Sequence, residues 1–352
     1  ITAQTISTYM DTTQRTPSFG GNRGRLFITI LSGFLGSGKT SLLNHLIRTN
    51  TDRRIAIIEN EFGEIAIDNE LVISEKDDIY TLANGCVCCS LNTELLETIL
   101  KLRDKGIEQI IIETTGIADP GQVAGAFLFG PEMRELHEAI VLNAIVTIVD
   151  ARQIEKQLQN TREAQRQIGY ADVLVLNKLD LVDTEQKQRV KRLLQGLNTE
   201  ARLYESDFGK VDIPDLFSLN LASAQSVLKG SFTDGHIDEN LHQGLVSYSF
   251  LIKEPVDIHK LSPWLMALIF LSGTEIYRSK GILRLKSDNR KYIFQSVGEQ
   301  FLHEYGAEWQ SDEEPVSKLV FIGRNLNRDM LATGLYSCVE TEKKPVGMFL
   351  RK

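Results

Sequence analysis

The sequence predicts an α/β fold in which a mostly parallel sheet is covered by helices, followed by a smaller α+β domain. Three observations predict it. Strands that are apolar throughout alternate with helical segments between residues 25 and 220, which is typical of parallel strands buried on both faces. A polar, glycine-containing stretch at residues 229–244 then interrupts the alternation. After it, short strands surround two helices, an order that is typical of an antiparallel sheet.

The length of 352 residues fits one large or two medium domains. We expect the first domain over residues 25–228, a linker over 229–244 and the second domain over 245–352. Residues 1–24 are rich in Ser, Thr, Gln and Gly, lack the apolar core of a secretory signal, and are expected to be a disordered tail.

Overall charge, hydropathy and cysteine usage exclude several classes of protein. A net charge of −8 argues against nucleic acid as a partner, because phosphate binding needs a basic surface. No apolar run approaches the roughly 20 residues that cross a membrane, so no membrane partner is expected. The chain has four cysteines, and three of them fall within four positions, unlike the dispersed pairs of a secreted disulfide framework. We therefore expect a reducing, cytoplasmic compartment.

The elements of the first domain follow in a regular order. RLFITILSG is a predicted strand, and the next segment carries a helical stripe of Leu42, Leu43, Leu46 and Ile47. The further predicted strands are RRIAIIENEFG, IYTLANG, IEQIIIETTG, LNAIVTIVDA and ADVLVLNKLDLV. SLNTELLETILKLRDKG is a predicted helix that stops at Gly106, and RQIEKQLQNTREAQRQIGY is predicted to be one amphipathic helix.

The second domain is predicted to contain four strand regions and two helices. The strand regions are LVSYSFLIKEP, GILRLK, KYIFQSVGEQFLHEYGAEWQ and KLVFIG, and the helices are DIHKLSPWLMALIFLSG and NRDMLATGL. Cys338 stands alone in this domain and is expected in its core.

The segment GFLGSGKT has the pattern G-x-x-x-x-G-K-[ST] of a phosphate-binding loop between a strand and a helix. Its glycines let the backbone wrap closely around phosphates, and its N–H groups attract anions. Lys39 is expected to reach the β- and γ-phosphates as a catalytic residue, and Thr40 to bind Mg²⁺. An ordinary glycine turn is the alternative. The expected nucleotide contacts are Gly33, Phe34, Leu35, Gly36, Ser37, Gly38, Lys39, Thr40 and Ser41.

The segment LVLNKLD predicts that the base is guanine. Asn177, Lys178 and Asp180 form the pattern N-K-x-D at the end of a buried strand, where ligands bind in α/β sheets. The Asp180 carboxylate can accept from the ring N1–H and the exocyclic amine of guanine together. Adenine lacks that donor pair and would leave the carboxylate unpaired. A solvated turn is the alternative.

Glu113 and Gly116 follow another predicted strand, in IIIETTGIADP. An acid at this position commonly orders the Mg²⁺ shell or the attacking water, so Glu113 is a candidate catalytic residue. Gly116 lets a backbone N–H approach the γ-phosphate. We expect the segment to respond to the nucleotide; a carboxylate that caps the next turn is the alternative.

Cys86, Cys88 and Cys89 form a C-x-C-C cluster. Thiolates are soft ligands that suit Zn²⁺ or Cu(I). A closed structural zinc site takes four protein ligands, so this cluster either recruits a fourth ligand or stays open, as metal delivery requires. A helix starting near Ser90 would favour the thiolate forms. A redox-reactive pair and buried structural cysteines are the alternatives.

Acidic residues follow the second strand, in ENEFGE. Glu59, Glu61 and Glu64 are candidates to complete the metal shell, because they are expected on the same rim of the sheet as the phosphate loop. A solvated acidic cluster is the alternative for each of them.

The segments GFLGSGKTSLLNHLI, IENEFGEIAID, NGCVCCS, ETTGIADPGQV and LNKLD, in this order and spacing, resemble the CobW-type metal-chaperone GTPases. The resemblance covers about residues 25–220, and the α+β tail resembles the CobW C-terminal domain. The C-x-C-C between the phosphate loop and the Glu113 segment is its most specific feature.

This resemblance implies hydrolysis of GTP to GDP and phosphate, coupled to binding a transition metal and delivering it to a client metalloprotein. The implied metal is Zn²⁺, with Co²⁺ and Ni²⁺ as alternatives. It implies Mg²⁺ at Thr40 and Glu113, and metal ligands at Cys86, Cys88 and Cys89 and among Glu59, Glu61 and Glu64. The second domain is expected to read the client or to form a homo-oligomer contact.

Taken together, these features predict that GTP and metal bind at one rim and that each tightens the other. No arginine finger or catalytic glutamine stands out, so slow intrinsic turnover is expected. Two rivals stay open: a small-molecule kinase with structural cysteines, and a non-enzymatic zinc or thiol redox sensor.

Overall fold

The computed structural model describes residues 25–50, 54–59, 72–74, 79–81, 93–128, 140–211, 213, 244–271 and 275–339. Within these residues the chain forms one eight-stranded and one five-stranded sheet. The predicted tail and all of the predicted linker except Gly244 lie outside the described residues. The proposed domain boundaries stay predictions, although the second sheet begins at Leu245.

The first sheet is almost entirely parallel. Its strand order is β3-β4-β2-β5-β1-β6-β7-β8, and only the pairing of β3 with β4 is antiparallel. The predicted α/β class is confirmed. The strands are β1 (Leu26–Ser32), β2 (Ile55–Glu59), β3 (Val72–Ser74), β4 (Ile79–Thr81), β5 (Gln109–Glu113), β6 (Ile140–Asp150), β7 (Val173–Asn177) and β8 (Arg202–Glu205).

Helices connect these strands and cover the sheet. Leu42, Leu43 and Leu46 are buried, as the apolar stripe predicts. The second helix is followed by Gly106 at φ +81°, whose N–H bonds the Arg103 carbonyl, so the predicted stop is confirmed. The helices are α1 (Lys39–Thr49), α2 (Thr93–Asp104), α3 (Pro120–Leu128), α4 (Ile154–Asn160), α5 (Arg162–Tyr170) and α6 (Thr184–Leu197), with a 3₁₀ helix at Leu179–Leu181.

The prediction of one helix before β7 was wrong, because the chain breaks it into α4 and α5 at Thr161. Thr161 is extended (φ −136°, ψ 136°), and its N–H and hydroxyl both donate to the Gln157 carbonyl at 2.9 Å. The Gln165 amide donates to the Leu158 carbonyl at 2.9 Å. These side chains satisfy the last carbonyls of α4, so the backbone can turn without leaving buried acceptors unpaired.

The second sheet is antiparallel, with strand order β12-β11-β10-β13-β9. The predicted smaller α+β domain is confirmed, and Cys338 is buried in its core. Strand β10 begins at Glu275, well before the predicted GILRLK segment. The elements are β9 (Leu245–Ile252), α7 (Ile258–Leu271), β10 (Glu275–Leu283), β11 (Arg290–Val297), β12 (Gln300–Glu308), β13 (Ser317–Arg324) and α8 (Arg328–Ser337).

The two sheets share a hydrophobic core. On β13, Val320 and Ile322 belong to the same buried cluster as the strands of the first sheet. The alternating residues Leu319 and Phe321 pack with α7 and α8 instead. The second sheet is therefore covered on one face by its own helices and on the other by the first domain. No helix in the described part of the chain is long and apolar enough to cross a membrane.

Candidate functional site

The predicted phosphate loop lies between β1 and α1, as its pattern requires. Gly33 and Gly38 adopt φ values of +148° and +111°. A Cβ at Gly33 would lie 2.5 Å from the Ile148 carbonyl oxygen, and a Cβ at Gly38 would collide with the Asn177 amide. Both positions therefore need glycine for conformation and for space.

Lys39 folds back over this loop. Its Nζ donates to the Gly33 carbonyl at 2.9 Å. Burial lowers the pKa of Lys39 below its ordinary value, and Glu113 opposes that shift. Ser37 Oγ is buried without a hydrogen-bond partner among the described residues. A half-buried ammonium and an unsatisfied hydroxyl in one loop suit an anion such as a phosphate.

Thr40 and Glu113 face each other across the end of the sheet. The Thr40 hydroxyl donates to Glu113 Oε1 at 3.5 Å. Glu113 ends β5, and its backbone pairs with Leu31 of β1 on one side and Glu59 of β2 on the other. Hydroxyl and carboxylate oxygens are the ligands that Mg²⁺ prefers, so this donor set fits the ion.

The N-K-x-D segment lies beside the same loop. The Asn177 side chain is 3% exposed; its Nδ2 donates to the Ser37 carbonyl at 3.0 Å. Lys178 adopts the left-handed conformation (φ +61°), and its Nζ donates to the Gly36 carbonyl. Asp180 follows in the 3₁₀ helix and is exposed, with its carboxylate available for a ligand. The structure thus brings together the predicted phosphate and base segments.

Asp150 was not among the predicted site residues. It ends β6, is 3% exposed, and accepts a hydrogen bond from Lys178 Nζ at 2.8 Å. Its other oxygen accepts from the Arg152 N–H at 2.9 Å. Asp150 therefore fixes the lysine that rests on the phosphate loop. The sequence signal was present, since an acid ends a buried strand in TIVDA.

The loop after β8 was also missed. Gly209 N–H and Ser206 Oγ donate to Asn177 Oδ1 at 3.1 and 3.2 Å. A Cβ at Gly209 would lie 2.8 Å from the Ser41 side chain, so the loop rests on the start of α1. Between them Phe208 is 70% exposed and has φ +49°, which is uncommon for a bulky residue. Because the loop that carries this exposed ring is hydrogen-bonded to Asn177, the ring is a candidate for one wall of a base pocket.

The Glu113 segment continues onto the phosphate loop. A Cβ at Gly116 would lie 2.7 Å from the backbone nitrogen of Leu35. Gln167, which is 2% exposed, donates through Nε2 to the carbonyls of Gly116 and Ala118 at 3.1 and 3.4 Å. The Gly116 backbone, which was predicted to approach the γ-phosphate, thus lies against the phosphate loop and is held there by Gln167.

Similarity to known proteins identifies the family of this chain. Residues 27–205 match the family described as CobW/HypB/UreG, nucleotide-binding domain, and residues 245–339 match the cobalamin synthesis protein cobW C-terminal domain. The chain belongs to the CobW/HypB/UreG family.

Relatives within this family match over nearly the whole chain. Zinc chaperone YjiA of Escherichia coli is 33% identical over 305 residues, which cover 85% of this chain and 94% of that protein. Zinc-regulated GTPase metalloprotein activator 1 of Schizosaccharomyces pombe is 30% identical over 350 residues, covering 86% and 83%. The crystal structure of the Zn(II)-bound YjiA GTPase from E. coli superposes with a TM-score of 0.69 at 31% identity, covering 90% and 99%.

The predicted metal ligands of this CobW-type chain stay predictions. Cys86, Cys88, Cys89, Glu61 and Glu64 lie outside the described residues, and Glu59 is described only as part of β2. Within the described ranges, no group of three or more His, Cys, Asp or Glu side chains is placed to hold a metal ion.

Proposed function

We propose that this protein is a GTP-dependent zinc chaperone. It hydrolyses GTP, binds Zn²⁺ at Cys86, Cys88 and Cys89, and passes the metal to a client protein. The observation that carries the proposal is the convergence of Lys39, Thr40, Glu113 and Asp180 at the carboxyl edge of one parallel sheet. The names of the relatives, a zinc chaperone and a zinc-regulated GTPase metalloprotein activator, support zinc as the cargo.

Each residue has a defined task in hydrolysis. The glycine loop and Lys39 hold the triphosphate, whose charge replaces the Gly33 carbonyl as partner of the ammonium. Thr40 and Glu113 would hold Mg²⁺, which supplies positive charge at the β- and γ-phosphates when bound. Asp180 accepts from guanine, and Asp150 keeps Lys178 in place beside the base. This arrangement favours GTP hydrolysis over the kinase alternative, because the Asp180 carboxylate would accept hydrogen bonds from guanine.

The direction of β4 supports a common rim for thiols and phosphates. Strand β4 is parallel to β2, with Thr81 opposite Ile57, so its carboxyl end lies at the same edge as Glu113. Two strand spacings separate β4 from β5, roughly 10 Å. Cys86 follows Thr81 by five positions, a reach of about 17 Å when extended. The chain is therefore long enough to bring the first thiol to the phosphate edge.

A shared rim makes the two ligands interdependent. If GTP and Zn²⁺ favour the same arrangement of the connecting segments, each tightens the other by the same factor. Hydrolysis removes the γ-phosphate and with it this mutual support, so the metal is released toward the client. The second domain then reads the client metalloprotein or contacts a second copy of the chain.

Zinc titration tests this coupling. The apparent dissociation constant for Zn²⁺ is measured by competition with a chromophoric chelator, with GDP and with a non-hydrolysable GTP analogue, each with Mg²⁺. We expect about tenfold tighter Zn²⁺ binding with the analogue than with GDP. This factor lies within the usual range of coupling between two sites, which extends to about 100-fold. The Cys88→Ser variant should lose the tight site. Equal affinities in both nucleotides would remove the coupling, and stoichiometric tight zinc in Cys88→Ser would remove the thiol site.

A further inference from the structure

Helix α5 contacts the nucleotide-facing segment on one side and the second sheet on the other. The segment in question is residues 114–121, which follow Glu113. Gln167 holds its Gly116 and Ala118 carbonyls, and the Gln167 carbonyl accepts from the Thr147 hydroxyl at 2.9 Å. The helix residue that grips the segment is thus itself anchored to β6.

Arg166 of the same helix forms ion pairs with the segment on one side and with the second domain on the other. Asp119 Oδ1 accepts from the Gly121 N–H at 2.9 Å and so caps α3. Asp119 Oδ2 pairs with Arg166 at 3.1 Å. Arg166 then pairs with Glu275, the first residue of β10, at 3.8 Å. All three side chains are at least partly shielded, with exposures of 14%, 35% and 29%.

Close packing follows the same route. A Cβ at Gly121 would collide with the Tyr170 ring, and Tyr170 lies 5.3 Å from the Tyr277 ring between centroids. Tyr277 OH donates to Glu275 at 2.9 Å. A Cβ at Gly169 would lie 2.5 Å from Tyr277. The segment, α5 and β10 are therefore in close contact, with no room for a side chain at Gly121 or Gly169.

We propose that Arg166 and Gln167 are positioning residues for the γ-phosphate. They set where Gly116 lies against Leu35 of the phosphate loop, and Glu275 lets the second domain share in setting that position. Because this coupling is reciprocal, a γ-phosphate that binds the Gly116 backbone also shifts β10, the strand that begins at Glu275. The inference rests on the proposed GTPase function and adds the route by which nucleotide state reaches the second domain.

A merely structural role for the same residues predicts a different result. If α5 only holds the two domains together, its variants weaken GTP and GDP binding alike or lower stability alone. If it positions Gly116, they weaken only the nucleotide that carries a γ-phosphate, because GDP depends on the glycine loop and on Asn177 to Asp180. The ratio of dissociation constants for a non-hydrolysable GTP analogue and for GDP separates the two roles.

The experiment measures this ratio by calorimetry in the full chain with Mg²⁺. The variants are Arg166→Ala, Gln167→Leu and Glu275→Gln, with Arg166→Lys as the conservative rescue. Arg189→Ala is the matched control, because it removes an exposed ion pair with Glu155 at 2.8 Å elsewhere in the first domain. We expect the ratio to rise at least fivefold in Arg166→Ala and Gln167→Leu and about threefold in Glu275→Gln. Arg166→Lys and Arg189→Ala should stay within twofold of wild type, and GDP affinity should stay within twofold throughout.

Hydrogen–deuterium exchange supplies the second readout. In the wild-type protein, peptides from β10 and β11 should exchange at least twofold more slowly with the GTP analogue than with GDP, and Arg166→Ala should abolish this difference. An unchanged ratio in both Arg166→Ala and Gln167→Leu overturns the positioning role. An unchanged ratio in Glu275→Gln, or equal wild-type exchange in the two nucleotides, overturns the part assigned to the second domain. Failure of the wild-type protein to bind GDP would instead remove the proposed function, and this inference with it.

Discussion

Replacing Asp172 with asparagine tests the charged contact between the two domains. Asp172 precedes β7, and its Oδ1 lies 2.6 Å from the Arg278 guanidinium and 3.4 Å from Lys280 Nζ, both on β10. Its other oxygen accepts from the Ile145 N–H at 3.0 Å. All three charged side chains are at most 5% exposed. Asparagine keeps the size and an acceptor but removes the negative charge.

The expected loss follows from this burial. Removing one partner of a buried ion pair costs about 3–5 kcal/mol, because the remaining charge is left uncompensated in the interior. Here Glu200 offsets part of that cost, since it interacts with both Lys280 and Arg278. Burial raises the pKa of Glu200, and the substitution would favour its charged form. We therefore expect a loss of about 3 kcal/mol in the free energy of unfolding, the lower end of that range.

Urea unfolding measures the loss. Both tryptophans, Trp264 and Trp309, belong to the second domain, so their fluorescence follows that domain, while far-UV circular dichroism follows the whole chain. Because one buried cluster contains residues of both sheets, the two signals should change together in the wild-type protein. The control is Glu314→Gln, which removes the exposed pair with Lys253 (77% and 71% exposed) and should cost under about 1 kcal/mol.

The pH dependence of the free energy of unfolding gives an independent check on the contribution of Asp172. Burial alone would raise the pKa of Asp172, but Arg278 and Lys280 hold it below its ordinary value of 3.8. The contribution of Asp172 is therefore fully present above that value and is lost as the pH falls through the lower, folded-state pKa.

A loss in Asp172→Asn no larger than in Glu314→Gln at neutral pH would refute the reasoning. It would mean that the two cations find other compensation in the folded protein.

Three further predictions concern the nucleotide site. Asp180→Asn should weaken GDP binding about 100-fold by calorimetry, since charged hydrogen bonds contribute roughly 1.5–3 kcal/mol each; unchanged affinity would contradict guanine recognition. Phe208→Ala should weaken GDP about tenfold and Phe208→Tyr should not, because base stacking contributes roughly 1–3 kcal/mol; equal affinity in the two variants would place the ring away from the base. Thr40→Ala should raise the Mg²⁺ concentration for half-maximal GTP hydrolysis about tenfold, whereas an unaltered Mg²⁺ dependence would remove Thr40 as a ligand.

The phosphate and base segments could be predicted because their chemistry is local. The glycines of the loop, Lys39 and Thr40 lie within eight positions, and the strand and helix around them show in the hydrophobic pattern. The N-K-x-D segment was predicted at the end of a buried strand, and β7 does end at Asn177, with Asp180 in the 3₁₀ helix that follows. The parallel sheet follows from strands that form near-continuous apolar runs, as β6 and β7 do.

What could not be predicted depends on partners far away in the chain. The start of β10 was missed because Arg278 and Lys280 make its first half look like a polar loop. Asp172, more than a hundred positions earlier, pairs with both and allows the strand to be buried. The break at Thr161 was missed because helical spacing continues through it. The loop at Phe208 carries no motif, and only its hydrogen bonds to Asn177 make it a candidate part of the site.

The interdigitation of the two sheets limits how this chain can be divided. A fragment ending before Leu245 would expose to water the surface of the first domain that Tyr277, Val320 and Ile322 now cover. It would also leave the Asp172 carboxylate without its cationic partners. Such a fragment should be insoluble or prone to self-association unless that surface is rebuilt with polar side chains. Transplanting the second domain onto another member of the family is subject to the same restriction. A working chimera would have to carry α5 and the residue before β7 along with the transplanted half.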